Sequence, residues 1–234
     1  MKNFLQRLIT GIFLILLAGG MLLSQRPWVF PVGLSLMLFE IIFFEWPKFA
    51  GRYPRSYRFT PVPAGVKEPN YWLWLLLIPY LIVPFGLLMV LDQQPFGRDL
   101  IILMCLVTPA FDVGAYFLGR LIGRHQLCVS ISPNKTWEGL IGGTLAVTAM
   151  FLVWQIWHAQ VVHLNLGLMG LIFLISLLAA GGDLFESWLK RRASLKDAGQ
   201  LLPGHGGLLD RLDSILFVTW LFYFGRAWIT ELLF

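Results

Sequence analysis

From Gly139 to Gly182 the chain runs for 44 residues without an Asp, Glu, Lys or Arg. A single helix of that length would be about 66 Å long, roughly twice the hydrocarbon thickness of a bilayer. The stretch must therefore be broken. The segment His158–Asn165 supplies the break and leaves spans of about Gly139–Trp157 and Leu164–Gly182. The whole chain of 234 residues is 57% hydrophobic and only 13% charged, against roughly 25% charged in a typical soluble domain. So few charges cannot cover the surface of a soluble body of this size. Disorder is excluded as well, because disordered chains are poor in apolar residues.

The same pattern marks further spans. Lys2 and Arg7 precede an uncharged run from Leu8 to Ser24. A signal-peptide core is the other reading of that run, but its length and the hydrophobic chain that follows favour a retained span. Others are expected at about Trp28–Trp46, Pro69–Leu91, Asp99–Leu118 and Leu208–Trp228. The expected fold is all-α, a polytopic integral membrane protein of about seven transmembrane helices. With a cytoplasmic N-terminus, fifteen basic residues fall on inner segments and only Arg26, Arg98 and Arg226 fall outside. That asymmetry supports both the span count and the orientation. The net charge of +5 is thus read as topology and implies no nucleic-acid partner. Two regions are distinguished. Residues 1–98 hold the first helices and a basic, Pro-rich cytoplasmic loop with Lys48, Arg52, Arg55, Arg58 and Lys67, and residues 99–234 form the catalytic transmembrane part. Cys105 and Cys128 have neither disulfide nor zinc spacing.

The polar residues gather at the late cytoplasmic loops. Asp183 ends one span, while Asp210 and Asp213 open the next at i, i+3 spacing, on one helix face. Three converging carboxylates repel unless a cation sits between them, and oxygen ligands suit a hard ion such as Mg2+. Helix capping would explain Asp210 or Asp213 alone. The addition of Asp183 and the flanking basic residues favours the metal. Those basics are Lys190, Arg191, Lys196 and Arg211. Attraction to anionic headgroups accounts well for the earlier arginines. It accounts less well for Lys135, embedded in Ser130-Ile-Ser-Pro-Asn-Lys-Thr-Trp-Glu-Gly139. Ser132, Lys135 and Thr136 there form a candidate phosphate cradle at a helix N-terminus. The glycines of Pro203-Gly-His-Gly-Gly207 would allow close backbone approach to a ligand, or serve only as a hairpin linker. Together these parts point to chemistry between a soluble phosphate compound and a lipid headgroup.

The segment from Ser187-Trp-Leu-Lys-Arg191 through Lys196-Asp-Ala-Gly to Leu202-Pro-Gly-His-Gly-Gly-Leu-Leu-Asp-Arg-Leu-Asp213 closely resembles the signature of the phosphatidate cytidylyltransferases, or CDP-diacylglycerol synthases. Asp112-Val-Gly-Ala-Tyr-Phe-Leu-Gly-Arg120 and Ser132-Pro-Asn-Lys-Thr-Trp-Glu-Gly139 look like two further blocks of that family in the right order. The resemblance covers about residues 108–214. The chain departs from the family in a shorter N-terminal part and in Val113, where a small hydroxyl residue is common.

The resemblance implies a transfer between CTP and phosphatidic acid that yields CDP-diacylglycerol and pyrophosphate. It also implies Mg2+, with a monovalent cation such as K+ assisting. Asp183, Asp210 and Asp213 are expected to hold the metal and, with Lys196, to form the catalytic set. Ser132, Lys135, Thr136, Lys190, Arg191, Arg211 and Asp112 are expected to bind substrate. A bacterial inner membrane, an active site facing the cytoplasm, and contact with membrane lipids follow, and a two-fold homodimer is kept as an expectation. The rival readings are a CTP transferase for another lipid phosphate, a transporter, which would favour acids nearer the midplane, and an inactive scaffold.

Overall fold

The computed structural model describes residues 2–49, 72–159, 164–193, 195, 198–199, 201–202 and 206–233, with side chains from residue 9 onward and Ala159 excepted. The basic loop around Arg52, Arg55, Arg58 and Lys67 lies outside the described residues. So do Lys196 and the Pro203–His205 part of the Gly-rich run. In chain order the elements are α1 (Lys2–Leu23), α2 (Val29–Phe49), α3 (Leu73–Asp92), α4 (Gly97–Ile122), β1 (Gln126–Cys128), β2 (Ser132–Thr136), α5 (Trp137–Ala159), α6 (Leu166–Arg192), α7 (Leu209–Phe224) and α8 (Arg226–Leu233). Among the described residues, α2 to α6 are long and apolar enough to cross a membrane, and α7 with α8 make a sixth span if the bent pair counts as one. The first expected span is a shorter apolar helix over Ile9–Leu23. Ile15, Leu16, Leu75, Leu121, Leu145 and Trp157 stand exposed, a surface suited to lipid and not to water. The chain is an all-α polytopic membrane protein.

It packs as two compact units, Met1–Met89 with Trp188–Leu212, and Val90–Ser187 with Asp213–Phe234. In the first, Trp46 is fully buried, with ring centres 5.9 Å from Phe49 and 6.0 Å from Tyr80. Both α2 and α3 contain a π-turn, at Ile41–Glu45 and Ile78–Ile82. The second holds Pro79 and is followed by Pro84. Neither proline can donate to the helical ladder, and Val83 N–H bonds the Ile78 carbonyl in the wider π step. The Arg192 guanidinium lies 4.8 Å from the Trp72 ring centre and 5.6 Å from that of Trp188, a cation–π pairing that holds the end of α6.

The second unit is organised by the crossing of α4 and α5. A Cβ at Gly114 would collide with the Gly142 carbonyl and Ala146, and one at Gly142 would collide with Leu118 and the Gly114 carbonyl. Apolar side chains give membrane helices little reason to prefer one another over lipid, so small residues that admit backbone contact decide where they pack.

Two features differ from the sequence-based expectation. A two-stranded antiparallel hairpin, β1 with β2, precedes α5. Its strands have only 3 and 5 residues, too short to carry a strand periodicity. The last span, expected to run from Leu208 to Trp228, instead bends by 83° between α7 and α8. The bend falls at Gly225, and Arg226 Nη1 donates to the Tyr223 carbonyl at 2.8 Å, satisfying an acceptor at the end of α7.

Gly142→Leu is expected to destabilise the protein by about 1–3 kcal/mol through overpacking at the α4–α5 crossing. Leu145→Ile, on an exposed position of α5, should be close to neutral. Thermal unfolding in detergent compares them, and a Gly142→Leu protein melting with the wild type would refute the crossing.

Candidate active site

The residues of β2 are held against the start of α5 by three local devices. Thr136 Oγ1 accepts the Gly139 N–H at 3.0 Å, a cap on the first turn. Trp137 N–H donates to the His125 carbonyl at 2.9 Å. Glu138 accepts the His125 backbone N–H and meets the ring Nδ1 at 2.6 Å. The hairpin thus presents Ser132, Lys135 and Thr136 to a cavity of about 320 Å³, which Asp112 and Tyr116 of α4 and Asp183 of α6 also line. Asn134 joins them. Lys135 Nζ lies 2.6 Å from Asp183 Oδ2.

Beside this cavity stands a group of acids. Asp183 and Glu186 lie one turn apart on α6, and Asp213 comes from α7. Each offers an oxygen within 4.8 Å of the others. The convergence depends on Gly182, where an added Cβ would collide with the Asp213 carbonyl and Ser214 Cα. Ser214 Oγ donates to the Ala179 carbonyl at 3.0 Å and fastens the same crossing. Glu186 and Asp213 are 1% and 7% exposed. Like charges at such separations repel by roughly 3–4 kcal/mol per pair at an effective dielectric near 20. The Lys135 ammonium offsets part of that.

Asp210 has other company. Its carboxylate accepts Lys190 Nζ at 2.8 Å, Gly207 N–H at 2.6 Å, and Ala198 N–H at 3.2 and 3.1 Å to its two oxygens. It ties the end of α6 and the signature loop together within the first unit. Arg191 and Arg211 are exposed, and Lys196 lies outside the described residues. The structure therefore brings together Asp112, Ser132, Lys135, Thr136, Asp183 and Asp213 in one unit, and pairs Asp210 with Lys190 in the other. Glu186 was missed by sequence reasoning, although Asp183-x-x-Glu186 has the same i, i+3 spacing as the pair on α7. Tyr116 and Asn134 were also missed, each lying inside a quoted motif.

A sequence profile of the cytidylyltransferase family matches residues 65–228, most of the chain. The chain belongs to the cytidylyltransferase family. Similar family members include the phosphatidate cytidylyltransferases of Brucella melitensis, 42% identical over 140 residues, which is 59% of this chain and 51% of that protein. That of Bacillus subtilis is 42% identical over 137 residues, 58% of this chain and 50% of the relative. That of Staphylococcus epidermidis is 42% identical over 137 residues, 58% of this chain and 52% of the relative. The chain spans about half the length of the curated relatives it matches. The cavity, the three acids and the Asp210–Lys190 pair all fall inside the matched region.

Removing the carboxylate in Asp210→Ala leaves Lys190 with no acid at that position and frees two loop amides. A loss of about 3 kcal/mol is expected, as for a broken buried ion pair. Chymotryptic cleavage at Leu201–Leu202 should accelerate severalfold in the folded protein. Cleavage at the wild-type rate would show that Asp210 does not hold the loop.

Proposed function

We propose that this family member is a phosphatidate cytidylyltransferase, which transfers the cytidylyl group of CTP to the phosphate of phosphatidic acid at the membrane surface. One observation carries the reading: a cavity lined by Lys135, Ser132, Thr136 and Asp112 shares Asp183 with a group of three converging acids. The names of its relatives support the same reaction. A phosphate oxygen of the lipid attacks the α-phosphorus of CTP, a new P–O bond forms, and the bond to the β-phosphate breaks to release pyrophosphate. The lipid phosphate is already an anion, so no strong general base is required.

Three carboxylates offering oxygens within 4.8 Å of one another are a donor set that fits a hard divalent ion. Mg2+ held by Asp183, Glu186 and Asp213 would neutralise charge on the nucleotide phosphates. Lys135, swinging from Asp183 to substrate, would stabilise charge on the transferred group. Ser132 and Thr136 would orient phosphate oxygens, and Asp112 would organise the cavity. Asp210 is assigned to holding Lys190 and the loop. Lys190, Arg191, Lys196 and Arg211 would supply the positive field for two anionic substrates. The distribution of basic residues supports a cytoplasmic site and N-terminus.

Purified protein in lipid vesicles, supplied with labelled CTP, Mg2+ and phosphatidic acid, is expected to form a CDP-lipid, and chelation should stop it. Asp183→Asn and Asp213→Asn should each lower turnover at least about a hundredfold, or about 2.7 kcal/mol of barrier, without changing membrane insertion. No CDP-lipid with phosphatidic acid or any other lipid phosphate would sink the proposal. Product with another lipid phosphate alone would move it to a different substrate. A cysteine placed in the Gln93–Gly97 turn should label from outside the cell membrane, while one at Ala193 should not, and the reverse pattern would overturn the orientation.

A further inference from the structure

Glu45 lies outside the region matched by the family and is fully buried. It closes the π-turn of α2. Its oxygens accept two backbone N–H groups at the start of α7: Oε1 takes Leu208 at 2.7 Å and Oε2 takes Leu209 at 2.8 Å. The first amides of a helix have no partner within it, so this carboxylate caps α7 from another part of the chain. Two glycines make room for it. A Cβ on either Gly199 or Gly207 would overlap the carboxylate. One turn further along α2, Lys48 Nζ donates to the Ala198 carbonyl at 3.3 Å. α2 therefore grips the signature loop on both of its sides.

The grip is continuous with the Asp210 network. The N–H groups of Ala198 and Gly207 both donate to Asp210, which also holds Lys190. We propose that Glu45 is a positioning residue for the transferase. Through Gly199, Gly207 and the first amides of α7 it fixes the backbone so that Asp210 and Lys190 keep their registration. The π-turn is what sets its aim, because the extra residue it inserts rotates the following side chains relative to a regular α-helix. A carboxyl is required there because each of its oxygens accepts one amide. The conservative amide keeps only one acceptor and turns an N–H2 toward a donor. The proposal rests on the cytidylyltransferase reading for its effect on turnover. Its structural part stands apart from that reading.

The test compares wild type, Glu45→Gln and Glu45→Ala as purified full chains. Hydrogen exchange is followed by mass spectrometry, alongside CDP-lipid formation. Residues 206–212 are expected to exchange at least tenfold faster in Glu45→Ala and to an intermediate degree in Glu45→Gln, while α4 and α5 keep wild-type protection. Turnover should fall in the same order, at least tenfold for Glu45→Ala. Wild-type exchange at 206–212 would overturn the proposal. So would loss of protection spread evenly through α4 and α5, or a Glu45→Gln protein no better than Glu45→Ala. If neither variant accumulates, Lys48→Met removes only the bond to the Ala198 carbonyl. It should speed exchange over 198–202, and unchanged exchange there would equally overturn the grip. If the wild type makes no CDP-lipid, the transferase reading fails, and the exchange comparison still decides the role of Glu45.

Discussion

Where Gly182 of α6 meets Asp213 and Ser214 of α7, two helix backbones touch because one of them carries no side chain. The site depends on that contact. It brings Asp183 and Glu186 within reach of Asp213, although Asp213 lies 30 positions from Asp183 in the chain. The neighbouring Ser214–Ala179 hydrogen bond keeps the crossing from sliding. A membrane interior gives little hydrophobic reward for packing one helix on another, so a local steric fit of this kind decides the geometry.

The crossing of α4 and α5 works by the same rule at Gly114 and Gly142. It supports the cavity wall from the other side. Asp112 and Tyr116 come from α4, and the hairpin is pinned to the first turn of α5 through Thr136, Glu138 and His125. Lys135 is thereby held 2.6 Å from Asp183. Acids that would repel one another are gathered beside a lysine, an arrangement suited to anionic substrates and a hard cation. The cost in charge repulsion argues for a function, because packing alone would be better served by apolar residues.

A second polar network organises the other unit. Asp210 gathers Lys190 and the backbone of the signature loop, and Glu45 caps the helix on which Asp210 sits. α2, which precedes the region matched by the family, thus contributes a buried carboxylate to the loop that carries its signature.

The sequence by itself determined the membrane class, the approximate spans and the two polar segments that supply Lys135, Asp183, Asp210 and Asp213. Each of these is set by local composition: an uncharged run must be helical in lipid, because no water is there to satisfy its backbone. It also showed Lys135 and Asp183 as candidates, since each sits in a compact polar motif at a span end. Only the tertiary structure decided which acids meet. The i, i+3 spacing puts Asp210 and Asp213 on one side of α7, yet one of them is taken by Lys190 and loop amides while the other joins Asp183 and Glu186. Glu45 shows the same limit, because its partners lie 163 and 164 residues away along the chain. The broken end of α7 and the short hairpin were equally hidden, since the bend falls at one glycine and the strands are too short to carry a periodicity. Periodicity reports which face of a helix is apolar, whereas contact between distant polar groups depends on where the backbones cross.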